Sequence, residues 1–148
     1  MGKLKLEPML DKRATVNTVK HFFLDNDCWP RIKRLSGCRF WSAIETKENE
    51  TPRQQRYLDF CLAYETVKKA TEHCSPSSKR IINAKYLPDK KDTKPDWQIM
   101  QDLNCEKTKF RELDVEARWE FADWLESTAF ELGSTALIPD LHQYQREA

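Results

Sequence analysis

Glycine is scarce in this chain, with three in 148 residues. Phosphate-cradling P-loops, dinucleotide fingerprints and the G-x-S-x-G nucleophile elbow all need closely spaced glycines, and none of these patterns occurs. β-Branched residues never gather into alternating runs, which argues against sheet. No apolar run approaches the roughly 20 residues that cross a bilayer. The first residues also lack the apolar core of a secretory leader, so no membrane partner is expected. The five cysteines, Cys28, Cys38, Cys61, Cys74 and Cys105, are odd in number and widely spaced. Without a C-x-x-C pair they suggest neither a zinc cage nor a disulfide framework, and they fit a reducing cytoplasm. His21, His73 and His142 follow none of the helical metal-ligand spacings, so no metal site and no cofactor are expected. His73 and Cys74 are neighbours, and neighbours on a helix point about 100° apart, which does not suit a Cys–His nucleophile pair. With no catalytic constellation left, the chain reads as something other than an enzyme.

What is present is charge and helical periodicity. The composition, 39% hydrophobic and 33% charged, fits helices with well-solvated outer faces. The expected fold is an all-α helical bundle formed by one domain over 1–148, with N-terminal helices in 9–74 and a helix-turn-helix region in 75–133 that ends in a long recognition helix. The formal net charge is only +1 but unevenly placed. Residues 1–56 hold 12 Lys/Arg against 7 Asp/Glu, whereas residues 75–133 hold 10 against 12.

Start signals divide the chain. Asp11 caps a segment over Lys12 to about Leu24, with Ala14, Val19, Phe22 and Phe23 as its apolar face. Trp29-Pro30 opens a short basic helix over 31–36 that Gly37 stops. Residues 42–50 are polar and aperiodic and read as a surface loop. Thr51-Pro52-Arg53-Gln54 combines a Thr cap with Pro at the first helical position and Gln at a capping-box position. The helix it starts runs to about His73, with Tyr57, Phe60, Cys61, Tyr64 and Val67 on one face. Ser75-Pro76 repeats the device for a helix through Leu87 carrying Ile81, Ile82, Ala84 and Tyr86 inward. A charged turn over 88–92 leads to Thr93-Lys94-Pro95-Asp96, and the tail from Ser134 is given no function.

Ile99 and Leu103 stand one turn apart, Asn104-Cys105 interrupt, and Phe110, Leu113, Ala117, Phe121 and Trp124 resume the helical spacing. Two amphipathic helices joined by a turn of about four residues can project the second into a DNA major groove. Asn104 tolerates the positive φ that such turns often need. The second helix opens with Glu106-Lys107-Thr108-Lys109 and adds Arg111, groups able to contact phosphates and base edges. The bland alternative, a plain helical hairpin in a bundle core with solvated cations, fits the spacing equally well.

The ordering Ser78-Lys79…Ile82…Tyr86-Leu87, then Trp97-Gln98-Ile99…Leu103…Thr108-x-Phe110…Ala117…Phe121-Ala122, resembles the ArpU family. These are small transcriptional regulators of phages and prophages in Gram-positive bacteria, with a C-terminal part like the region-four helix-turn-helix of sigma factors. Asp11-x-x-x-Thr15-x-x-x-Val19-x-x-x-Phe23 is similar to the family's opening, so the resemblance covers about residues 9–130. It implies a sequence-specific binder of double-stranded DNA controlling late or lytic phage genes, with Lys107, Thr108, Lys109 and Arg111 at the start of the recognition helix. Two positions depart from such motifs. Cys105 stands where a Ser cap is usual, at a cost of about 1 kcal/mol, and Met100 stands where a small Ala is usual.

The segment Trp29–Trp41 interleaves Arg31, Lys33, Arg34 and Arg39 with aromatics, a pattern that can stack on bases and neutralise phosphate. A core role for the aromatics is the simpler reading. If the segment binds, Arg31, Lys33 and Arg34 add backbone contacts. Trp97 and Trp124 are expected in the core. Trp119, off the inward stripe, either meets the N-terminal helices or marks a homodimer contact. The second functional reading is a sigma-like adaptor that contacts RNA polymerase and has little DNA affinity of its own; the acidic balance of residues 75–133 favours it.

Overall fold

The computed structural model describes residues 9–36 and 52–145. The loop expected over 42–50, Gly37 as a helix stop, Thr51 as a cap and the end of the basic segment at Arg39, Phe40 and Trp41 lie outside the described residues.

Helix α1, Lys12–Leu24, begins as its sequence dictates. Asp11 is extended, and its carboxylate accepts a hydrogen bond from the Ala14 N–H at 3.0 Å. Thr15, Val16, Val19, Phe22 and Phe23 are buried, and Ala14 stays half-buried. Helix α2, Trp29–Ser36, starts at Trp29 itself, whose indole is buried, stacks on Tyr64 at 5.3 Å and donates to the Leu87 carbonyl at 3.0 Å. Helix α3, Pro52–His73, buries a stripe of small residues that includes Cys61, Ala63, Thr66, Val67, Ala70 and Thr71. The larger Tyr57, Phe60 and Tyr64 of the expected face are only half-buried. Small side chains let a neighbouring helix approach closely, which is why the stripe and not the aromatics sits deepest.

Helix α4, Pro76–Ile81, passes directly into one wide π-turn, Ile82–Tyr86, with Ile81, Ile82, Tyr86 and Leu87 buried. A single 3₁₀ turn, Lys90–Asp92, precedes α5, Asp96–Leu103, and α6, Lys107–Leu132. Helix α6 is the spine, packed against α1, α3 and α4. Its Phe110, Ala117, Phe121, Ala122, Leu125 and Ala129 are buried at i, i+3/i+4 intervals, the pattern of a helix with one apolar face. At the centre, the Phe23 ring lies 5.1 Å from Tyr86 and 4.7 Å from Phe121. All six described helices and the tail contribute to one apolar cluster, so the all-α expectation holds. Among the described residues the only extended pairing is an isolated bridge, Leu10 with Tyr144.

That bridge shows what the tail does. After Gly133 the chain returns across α1 and α6, burying Ile138 and Leu141. The Asp11 N–H donates to the Gln143 carbonyl at 2.8 Å, and the Gln143 N–H donates to Thr15 Oγ1 at 2.9 Å. The tail is therefore a strap that ties the start of α1 to the body of the bundle.

Two tryptophans expected inside are not there. Trp97 is 61% exposed and Trp124 38%. Trp97 precedes the inward-facing Ile99 on a helix of only eight residues, which buries no other side chain fully. Trp124 lies beside the Phe121–Leu125 stripe and stacks on His73 at 4.7 Å.

Candidate nucleic-acid interface

The turn between α5 and α6 is built from local sequence. Asn104 is the only described non-glycine residue with positive φ, at 52°. Its N–H donates to the Gln101 carbonyl at 3.0 Å, and the Cys105 N–H reaches back to Met100 at 3.1 Å. This paired 5→2 and 6→1 closure is a Schellman ending, in which the residue after the left-handed one packs on the last helical turn. Cys105 fills that place: it is half-buried and packs with Met100 and Leu103 against the core. It does not occupy the cap position expected for it. The residue before α6 is Glu106, extended and without a side-chain cap bond, so α6 starts at Lys107. The same closure recurs at the other end of α6, where Gly133 has φ 71° and the Ser134 N–H reaches Ala129 at 2.8 Å.

Because Phe110 points inward, Lys107, Thr108, Lys109 and Arg111 point out, and all four are exposed. Among the described residues their one carboxylate contact is a loose one, Lys109 to Glu112 at 3.9 Å. The first turn of α6 holds no acid, although a helix N-terminus favours negative charge and disfavours cations. The next 20 residues reverse the sign: residues 112–131 hold Arg118 alone against Glu112, Asp114, Glu116, Glu120, Asp123, Glu126 and Glu131. Beside α5, Lys79, Arg80, Asn83 and Lys94 line a shallow groove with Asp102 and Leu103, and Lys94 pairs with Asp102 at 3.3 Å.

The cations of α2 divide. Arg34 is exposed, and Arg31, also exposed, lies over the Phe60 ring at 5.2 Å. Lys33 is held by the fold: its ammonium donates to the Leu87 carbonyl at 2.9 Å and to Asp89 at 2.8 Å. That hydrogen bond and the lysine's charge hold the Asp89 carboxyl below its usual range. Trp119 meets the N-terminal helix, the first of the two readings for it: Lys12 lies over its ring at 5.6 Å, and His142 stands edge-on at 6.4 Å.

Three polar clusters have no counterpart in the sequence reading. Asp114 is buried and accepts from Tyr86 Oη at 2.7 Å, with Lys85 and Arg118 each at 3.4 Å. Burial, then the Asp114 charge, pushes the Tyr86 phenol above its usual range. Glu120 accepts from the Ser75 N–H at 2.9 Å and from the hydroxyls of Ser75 and Ser78, anchoring α4 to α6. Burial raises the Glu120 carboxyl, but the Ser78 and Ser75 hydrogen bonds outweigh it and leave the group lowered. The neighbouring Cys74 thiol, buried and next to that carboxylate, is pushed up to about 12 and stays protonated. His142 sits among Asp123, Glu126 and Asp140, and hydrogen bonding to Asp123 raises it to about 9 against the opposing effect of burial. Helical spacing could have suggested the Asp114–Arg118 pair at i, i+4; the other partners are distant in sequence, and nothing local announces them.

No family model, curated protein or solved structure matches this chain.

Proposed function

We propose that α5 and α6 form a DNA-binding helix-turn-helix and that the protein is a sequence-specific transcriptional regulator, of the phage type its sequence resembles. The observation that carries this reading is the start of α6. Three exposed cations and a threonine crowd a helix N-terminus whose dipole disfavours the cations, and only one of them has even a distant carboxylate among the described residues. An incoming phosphate gains from the cations, the dipole and the free N–H groups together, so the arrangement suits a bound polyanion. Lys107, Lys109 and Arg111 contact phosphates and base edges, with Thr108 between them. Arg31 and Arg34 are available for backbone contacts; Lys33, tied to Leu87 and Asp89, is the weakest of the candidates.

A gel-shift with fragments of the native genomic neighbourhood tests this. Affinity is expected to fall about a thousandfold between 50 and 200 mM salt if roughly six phosphates are neutralised. Lys109→Ala and Arg111→Ala are each expected to weaken binding without unfolding the protein, and unchanged affinity in both removes the interface from this face.

A second reading rests on Trp97, a large ring left in solvent at the start of α5, and on the acidic remainder of α6. Exposed aromatics among charges mark protein contacts, and a sigma-like adaptor docking on RNA polymerase would use both. A salt-insensitive polymerase pull-down that Trp97→Ala abolishes, with no shift on any DNA fragment, selects the adaptor.

A further inference from the structure

We propose that Glu126, Asp140 and His142 bind a divalent transition-metal ion of the zinc type and thereby clamp the C-terminal strap to α6. One ligand atom from each of Glu126, Asp140 and His142 lies within 4.8 Å of the other two. An imidazole nitrogen with two carboxylate oxygens is a donor set that zinc accepts in tetrahedral sites, leaving the fourth position to water. Two of these ligands come from the strap and one from α6, so the ion joins elements the fold already brings together.

The histidine is prepared for the role. Its side chain is 5% exposed, and its Nε2 stands 2.7 Å from Asp123 Oδ1. Without an ion both ring nitrogens face carboxylate oxygens and carry protons; an ion that displaces the Nδ1 proton leaves Nε2–H held by Asp123, an arrangement metal-bound histidines use repeatedly. The edge-on Trp119 ring limits rotation of the imidazole.

Charge points the same way. Three carboxylates surround one imidazole, and no described Lys or Arg pairs with any of them. Even with the ring protonated, the group carries a formal charge of about −2, which a divalent ion matches. Nδ1 lies 2.8 Å from Glu126 and 2.7 Å from Asp140, whereas ligands on zinc stand about 3.3 Å apart, from bond lengths of roughly 2.0–2.1 Å. The two carboxylate side chains are about half exposed and free to open by that half-ångström.

The site is independent of the proposed DNA face, because Glu126 lies 15 residues beyond Arg111 along α6, about 22 Å. Titration calorimetry of the chelator-treated full chain with zinc chloride tests the proposal. One equivalent is expected to bind and to raise the thermal midpoint, with magnesium at the same concentration doing neither. Glu126→Gln and Asp140→Asn change two exposed side chains and leave the core intact. Each is expected to weaken zinc binding by about tenfold or more while leaving DNA affinity unchanged. Absence of saturable zinc binding, or equal affinity in wild type and both variants, overturns the site; the latter would place the ion on other ligands of the chain. Cobalt as a zinc substitute reports the ligand set directly, since thiolate coordination gives an intense near-ultraviolet band that N/O coordination lacks.

Discussion

The two ends of α6 belong to one helix and follow different rules. Over Ala117–Ala129 it carries the core of the molecule, with Phe121 and Leu125 almost fully buried. Over Lys107–Arg111 it buries Phe110 alone, presents three cations to solvent and meets a short α5 that has a single fully buried residue. The first region is organised for stability. The second gives up helix-dipole energy and packing, and what it gains is a concentrated positive surface at a helix N-terminus. A segment that is worse than necessary for its own stability is where function is most usefully sought.

Substitutions can press on this contrast from both sides. The largest effect is expected from Phe121→Ala, which empties the centre of the aromatic cluster and should cost about 3–5 kcal/mol in chemical denaturation; a loss below about 1 kcal/mol would mean that α6 is not the spine. Tyr86→Phe leaves buried Asp114 without its shortest partner and should cost about 1–3 kcal/mol. The two left-handed turn residues compare the ends directly. Gly133→Ala meets no steric neighbour, so the strain of its positive φ alone should cost about 1 kcal/mol. Asn104→Gly relaxes the same strain and should stabilise by a few tenths of a kcal/mol to about 1 kcal/mol. The smallest change carries the opposite sign for stability and binding. Lys107→Glu places an acid in the first turn and should raise stability by about 0.3–1 kcal/mol, while weakening the DNA shift severalfold. Loss of both stability and binding would show that this end is structural after all.

Local chemistry was readable wherever the cause is local. Asp11 as a cap, Pro52 and Pro76 as helix starts, Asn104 in the left-handed conformation and Gly133 as the stop of α6 each follow from one residue's backbone preference, and each stands where the sequence puts it. The inward face of α6 follows from its 3.6-residue period. Trp97 was misplaced because apolar character marks a residue as suited to the core without saying which side of a short helix faces it. Cys105 was misplaced by one role, cap against Schellman closure, because both sit at the same joint. The clusters around His142, Asp114 and Glu120 join residues up to 45 positions apart, and neither propensity nor period encodes such meetings. The outward direction of Lys107, Lys109 and Arg111 was legible from Phe110; what they touch was not.

The strap has a consequence in time. Its bonds join Asp11 to Gln143 and Thr15 to Gln143, so each closes a loop of nearly the whole chain. Closing so long a loop is entropically costly and is rewarded only after the helices between have assembled, so these contacts form last during folding and open first in the native state. Hydrogen exchange should therefore find the Asp11 and Gln143 amides least protected among the buried hydrogen-bonded groups, well ahead of the amides around Phe121. An ion at His142 would slow that opening, and the order in which the bundle breathes would then depend on metal supply.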